Sequence, residues 1–129
     1  MKLIFLDLGE VIAIHHDQIK RYGGSHGIRD LSLLQSAIAA PAAAIHGQYL
    51  HEDVAAMAGA YLFHIVSNHP FIDGNKRTGA VAALVFLALK RIDFHASQDS
   101  FEELVRAVAS GKADRAEVVE FFRNFSGPR

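Results

Sequence analysis

Apolar residues recur at helical spacing along almost the whole chain. Val11, Ile12, His15, Ile19 and Tyr22 fall on one face, and Gly23-Gly24 stops that helix. A glycine-rich link, Gly23–Gly27, leads to Asp30, whose carboxylate suits the N-cap of a second helix through Leu31, Leu34 and Ile38; Pro41 ends it. Val54, Met57, Ala58, Tyr61, Leu62 and Ile65 mark a third helix, bounded by Pro70. The fourth, Gly74 to Arg91, is apolar or small on every side from Gly79 to Leu89, and a helix without a polar face belongs in the middle of a fold. Ile92–Ala96 reads as a short strand or an extended link. Two capping boxes announce two more helices, Ser100 with Glu103 and Asp114 with Glu117. Their buried stripes are Phe101, Leu104, Val105, Val108 and then Val118, Phe121, Phe122, Phe125, with Gly111 and Gly127 as stops. The pattern predicts an all-α protein, a compact bundle of about six helices around a buried central helix. At most a short strand or two is expected, one candidate being Leu3–Leu6.

Composition changes this picture little. The 129 residues contain no internal repeat or linker and fit a single domain, 1–129. Half are hydrophobic, enough for a real core. Thirteen basic and fourteen acidic side chains leave a formal net charge of −1, which gives no general pull toward nucleic acid or an anionic membrane. With no cysteine, disulfides and cysteine-based zinc sites are excluded. The apolar start is interrupted by Asp7 and Glu10 and no small-residue cleavage site follows, so it is not expected to act as a signal peptide. The longest apolar-rich stretch, Gly79–Leu89, falls far short of the ~20 residues a membrane span needs. A soluble, cytoplasmic protein is expected.

One segment breaks the rules that the rest obeys. His69-Pro70-Phe71-Ile72-Asp73-Gly74-Asn75-Lys76-Arg77 puts two cations, Lys76 and Arg77, into the first turn of the fourth helix. That end already carries roughly half a positive charge and several unpaired N–H groups. A bound anion is the obvious remedy, and helix N-termini bind phosphate for this reason. Gly74 lets the backbone approach such a group closely. His69, in a turn stiffened by Pro70, is suited to taking a proton from a hydroxyl near neutral pH. Asp73 is a hard oxygen ligand of the kind that holds Mg²⁺ beside phosphates. Phe71 reads as the apolar anchor of the loop.

This segment resembles the Fic-family motif HPFxxGNGRxxR, matching His69, Pro70, Phe71, Gly74, Asn75 and Arg77, with Asp73 at the motif's acidic position. Lys76, where Fic has its second glycine, is similar to the Doc (death-on-curing) branch. So are Ile14-His15, Arg21-Tyr22-Gly23-Gly24, Gly27-Ile28-Arg29-Asp30 and Ala107–Gly111, and the likeness covers nearly the whole chain. The resemblance implies a six-helix fold, ATP and Mg²⁺ at the N-terminus of the central helix, and toxin activity in bacteria. It implies that His69 is the base, that Asp73 holds Mg²⁺, and that Gly74, Asn75, Lys76 and Arg77 clamp the phosphates. Ala42–Glu52 takes the place of the flap that aligns the target chain. Lys76, and Ala80 where adenylylating members carry a final arginine, go in the Doc branch with transfer of the γ-phosphate, elongation factor Tu being the family's target. The inhibitory Ser/Thr-x-x-x-Glu-Gly/Asn helix of some Fic proteins is absent, so a separate small antitoxin protein is expected to restrain the enzyme.

Other readings stay open. Transfer of AMP to a protein is the alternative activity. His69 could brace a turn, Asp73 could cap the fourth helix through the backbone of Lys76, and Lys76 and Arg77 could be surface charges. His15, on an apolar stripe, reads as a hydrogen-bonded core histidine. His16-Asp17 resembles the paired ligands of HD-type metal phosphohydrolases, although Asp17 also faces Lys20 and Arg21 at ion-pair spacing. A catalytically inactive helical binding module is the third class.

Overall fold

The computed structural model describes residues 4–51 and 53–128. Among them are six α-helices: α1 (Leu8–Tyr22), α2 (Leu31–Ala39), α3 (Val54–Asn68), α4 (Asn75–Leu89), α5 (Gln98–Ala109) and α6 (Arg115–Phe125). A 3₁₀ turn, Ala40–Ala42, follows α2. Two short antiparallel pairs complete the fold: β1 (Ala44–Ile45) with β2 (Gln48–Tyr49), and β3 (Ile92–Phe94) with β4 (Ser126–Pro128). The protein is all-α in class, as its apolar spacing predicts.

Helix starts follow a common device. Asp7, Asp30, Asp53, Ser97 and Asp114 each accept a first-turn N–H at the heads of α1, α2, α3, α5 and α6. Such caps typically contribute about 1 kcal/mol each. Only α4 starts without a side-chain cap. The expected Ser100–Glu103 box is not formed. Ser97 takes the N–H of Ser100, and α5 begins a turn earlier than that box would place it. Three residues more of helix, with a Gln98–Glu102 hydrogen bond and Asp99 in the first turn, favour the earlier start.

α3 and α4 form the central pair, α3 the more enclosed. Along α3, Ala56 through Leu62, Ile65 and Val66 are all buried. Close approach to α4 depends on Gly79, where an added Cβ would lie 2.7 Å from Val66 Cγ2 and 3.3 Å from the Leu62 carbonyl oxygen. On its other side α3 meets Val118 and Phe122 of α6 across Gly59. Phe94, Phe101, Phe121 and Phe122 stack into an aromatic cluster joining β3, α5 and α6.

Three further details depart from expectation. Tyr22 shares the α1 stripe by spacing, yet it is 69% exposed, because it lies in the last turn at the rim of a groove rather than under a neighbour. Ile4–Leu6 form no strand, the Leu6 N–H donating instead to the Tyr61 hydroxyl; Leu3 lies outside the described residues. Gly127 does not end α6, which stops at Phe125, and it sits in β4 opposite Asp93.

Candidate functional site

The segment from His69 to Arg77 is a tight loop between α3 and α4, closed from within and held from without. His69 follows α3 with φ 47° and ψ 53°, a left-handed conformation that non-glycine residues adopt only when neighbours enforce it. Its main chain is held from the segment before α2. Arg29 donates from Nε to the His69 carbonyl (2.6 Å) and from Nη2 to the Asn68 carbonyl (2.9 Å). The N–H groups of Arg29 and Asp30 both donate to the Pro70 carbonyl. Phe71, 1% exposed, anchors the loop and pairs through its backbone with Ile28. The Asn75 amide spans the turn, accepting from Phe71 N–H (2.9 Å) and donating to the Phe71 carbonyl (3.0 Å).

Asp73 does not cap α4 through Lys76. The N-cap is Gly74, at φ 76° and ψ 17°, while Asp73 Oδ1 accepts from the Gly74 N–H and Oδ2 from the Ser25 N–H. Those two bonds, Ser25 first, hold the Asp73 carboxyl below the usual carboxylate range, and Arg77 adds to the effect. The carboxylate rests on Gly24, where a Cβ would stand 2.6 Å from Oδ2. Behind the loop, His15 is buried as the hydrogen-bonded core histidine its stripe suggests. Its Nε2 donates to the Asp73 carbonyl (2.8 Å) and its ring stacks on Phe71 at 3.8 Å. Burial, helped by the nearby His26 and Arg77, pushes its pKa down against the raising effect of the Asp73 hydrogen bond, which favours the neutral ring.

With no cap on α4, the first-turn N–H groups of Asn75, Lys76 and Arg77 are left without partners among the described residues. The Arg77 guanidinium turns toward the end of α1, donating to the carbonyls of Gln18 (3.2 Å) and Gly23 (2.9 Å). Lys76 is exposed and makes no hydrogen bond or ion pair with a described residue. His69, Asp73, Gly74, Asn75, Lys76 and Arg77, with Ile72 and Ala109, line one cleft of about 390 Å³. Lys76 and Arg77 also border a mostly apolar groove of about 620 Å³ that runs past Ala80 to Phe101 and Tyr22.

All six residues singled out in the sequence therefore meet at one cleft, which joins an imidazole, an ionised carboxylate, unpaired helix N–H groups and two cations. Mg²⁺ fits this donor set, since it commonly takes one or two protein carboxylates and completes its shell with phosphate oxygens and water. A dedicated three-ligand cluster of His, Cys, Asp or Glu is not found among the described residues. The His16-Asp17 pair is spent otherwise, Asp17 on Arg21 (2.9 Å) and His16 on the ring of His26 (4.8 Å between centroids). Arg29 and the Ser25 N–H are the supporting groups that spacing alone does not assign to the site. Their signals are the glycine-rich run Gly23–Gly27 and the likeness of Gly27-Ile28-Arg29-Asp30 to the Doc branch.

Comparison with known proteins finds one family across most of the chain. The profile of the Fic/DOC family matches residues 5–87. A protein named Toxin Doc from Mycolicibacterium smegmatis is 35% identical over 95 residues, covering 72% of this chain and 73% of its own. One named Protein kinase doc, from Escherichia phage P1, is 29% identical over 118 residues, 92% of each chain.

Proposed function

The chain belongs to the Fic/DOC family, and from that premise we propose that it is a bacterial toxin enzyme that transfers the γ-phosphate of ATP to a Ser or Thr hydroxyl of a protein. His69 takes the proton of the hydroxyl as the oxygen bonds to the γ-phosphorus; the bond from that phosphorus to the bridging oxygen breaks and ADP leaves. The unpaired N–H groups at the start of α4, with Gly74, Lys76 and Arg77, hold the phosphates. Asn75, its side chain engaged with Phe71, contributes through its backbone N–H. Asp73 holds Mg²⁺, which when bound neutralises phosphate charge.

The observation that carries the choice of phosphate is Lys76. It stands uncommitted at the junction of cleft and groove, where it adds charge beside the phosphate nearest the helix. Ala80, one turn further along, offers no cation for outer phosphates in the opposite orientation. Position and charge stabilisation govern phosphoryl transfer, so the orientation of the nucleotide decides the product.

ATP labelled at the γ-phosphate is expected to mark a protein of a bacterial lysate, and ATP labelled only at the α-phosphate to mark none. The reverse pattern would replace phosphorylation by adenylylation. Elongation factor Tu is the target to test first, in the bacterial cytoplasm where it works. A small antitoxin, its segment folding against the groove beside Arg77, is the restraint proposed for a sequence in which no Ser/Thr-x-x-x-Glu-Gly/Asn string is found.

A further inference from the structure

Catalytic bases are commonly aimed by a third group, a carboxylate or carbonyl bonded to the second ring nitrogen. His69 has no such partner. Its ring makes no hydrogen bond or ring contact with any described residue, and its exposed side chain projects from the rim of the cleft. Its direction is therefore inherited from the main chain, which at this residue adopts the left-handed conformation and is bonded through its carbonyl to Arg29.

We propose that Arg29 is the positioning residue for His69. α3 carries no basic residue in its own last turn, so the carbonyls at its end need donors from elsewhere. The guanidinium supplies two, Nε to His69 and Nη2 to Asn68, and a planar fork on consecutive carbonyls fixes the two peptide planes that flank the His69 Cα. The fork is itself anchored. The Arg29 N–H donates to the next carbonyl, Pro70, and Asp30 caps α2 through Leu33 N–H. The Asn68 amide donates back to the Leu33 carbonyl. Arg29 thus ties the start of α2 to the backbone that carries the imidazole, and it is not among the residues that line the cleft. The inference rests on the reading of His69 as the base.

The test compares Arg29→Met, which removes both donors, with Arg29→Lys, which keeps one. Both are assayed with labelled ATP and the acceptor protein that takes label in a bacterial lysate. A misplacement of about 1 Å at a reacting group can cost about 10²-fold in rate. Arg29→Met is expected to lose on that order in kcat, with KM for ATP nearly unchanged and the pH at which activity half-saturates unmoved. Arg29→Lys is expected to recover part of the loss. The NMR ring signals of His69 provide a readout independent of turnover. They should shift and broaden in Arg29→Met while those of His95 stay in place, which general loosening of the fold would not produce. Wild-type kcat and unaltered His69 signals in Arg29→Met would overturn the proposal, as would a loss confined to KM for ATP. If His69→Ala is inactive while Arg29→Met is fully active, only the positioning role falls. An active His69→Ala would remove the base reading and this inference with it.

Discussion

The imidazole of His69 acts, in this reading, with no side chain of a described residue bonded to its ring, so its removal is a clean experiment. General-base catalysis is typically worth 10²–10⁴-fold, and His69→Ala is expected to lose transfer by about that factor. ATP affinity, measured by calorimetry, should stay near that of the wild type because the phosphate-facing groups belong to α4. A variant that keeps most of its activity would remove His69 from the mechanism. The residues of the loop were legible because they break local rules: two cations in a helix's first turn, and a histidine and an aspartate with no packing role. The seat beneath them was not. Ser25 and Arg29 act on residues 48 and 40 positions away, Ser25 through its main-chain N–H, and no spacing rule reports such bonds. The resemblance names Asn75 as a phosphate clamp; its side-chain amide is engaged on both sides with Phe71, which leaves its backbone N–H for that role.

Among the elements, α3 and α4 were the easiest to read, since their apolar runs are long and bounded by proline and glycine. Their mutual closeness was not readable, because a glycine inside a helical pattern only costs propensity until a partner is known. Gly79→Ala tests this packing. The added methyl would meet Val66 and the Leu62 carbonyl oxygen, so the helices must part or shift. Overpacking of this kind costs about 1–3 kcal/mol, which should appear as a lowered midpoint in urea. A midpoint equal to or above that of the wild type would show that the interface yields freely. The start of α5 was misread because Ser97 and Ser100 both suit an N-cap, and the choice depends on how β3 delivers the chain. β4 left no signal, three residues containing glycine and proline being too few for alternation.

Across the whole molecule, the titration of its buried groups sets two limits on stability. His15, His51 and His64 all have pKa values lowered from 6.5, burial being the largest cause in each. The unfolded chain then binds protons more readily, so the stability these groups give is present above pH 6.5 and is lost as pH falls through their folded values. Tyr61 limits the other side. Buried and bonded to Leu6, it has a pKa pushed up from 10.0 to about 12, so its contribution holds below pH 10 and disappears as pH rises toward 12. The melting temperature should therefore decline both as pH falls below 6.5 and as it rises above 10. A flat profile across the acid range would mean that the three imidazoles meet similar surroundings in the unfolded chain.

The seat of Asp73 also has a meaning in time. Ser25 and Asp73 are 48 residues apart, and the Gly23 carbonyl waits 54 residues for Arg77. At roughly 5–20 residues per second, a ribosome takes about 2–10 s to travel from the one group to the other. During that interval the nascent chain holds a receptacle without its acid, its base or its cations. No copy of the enzyme can therefore act before the second half of its chain closes onto the first.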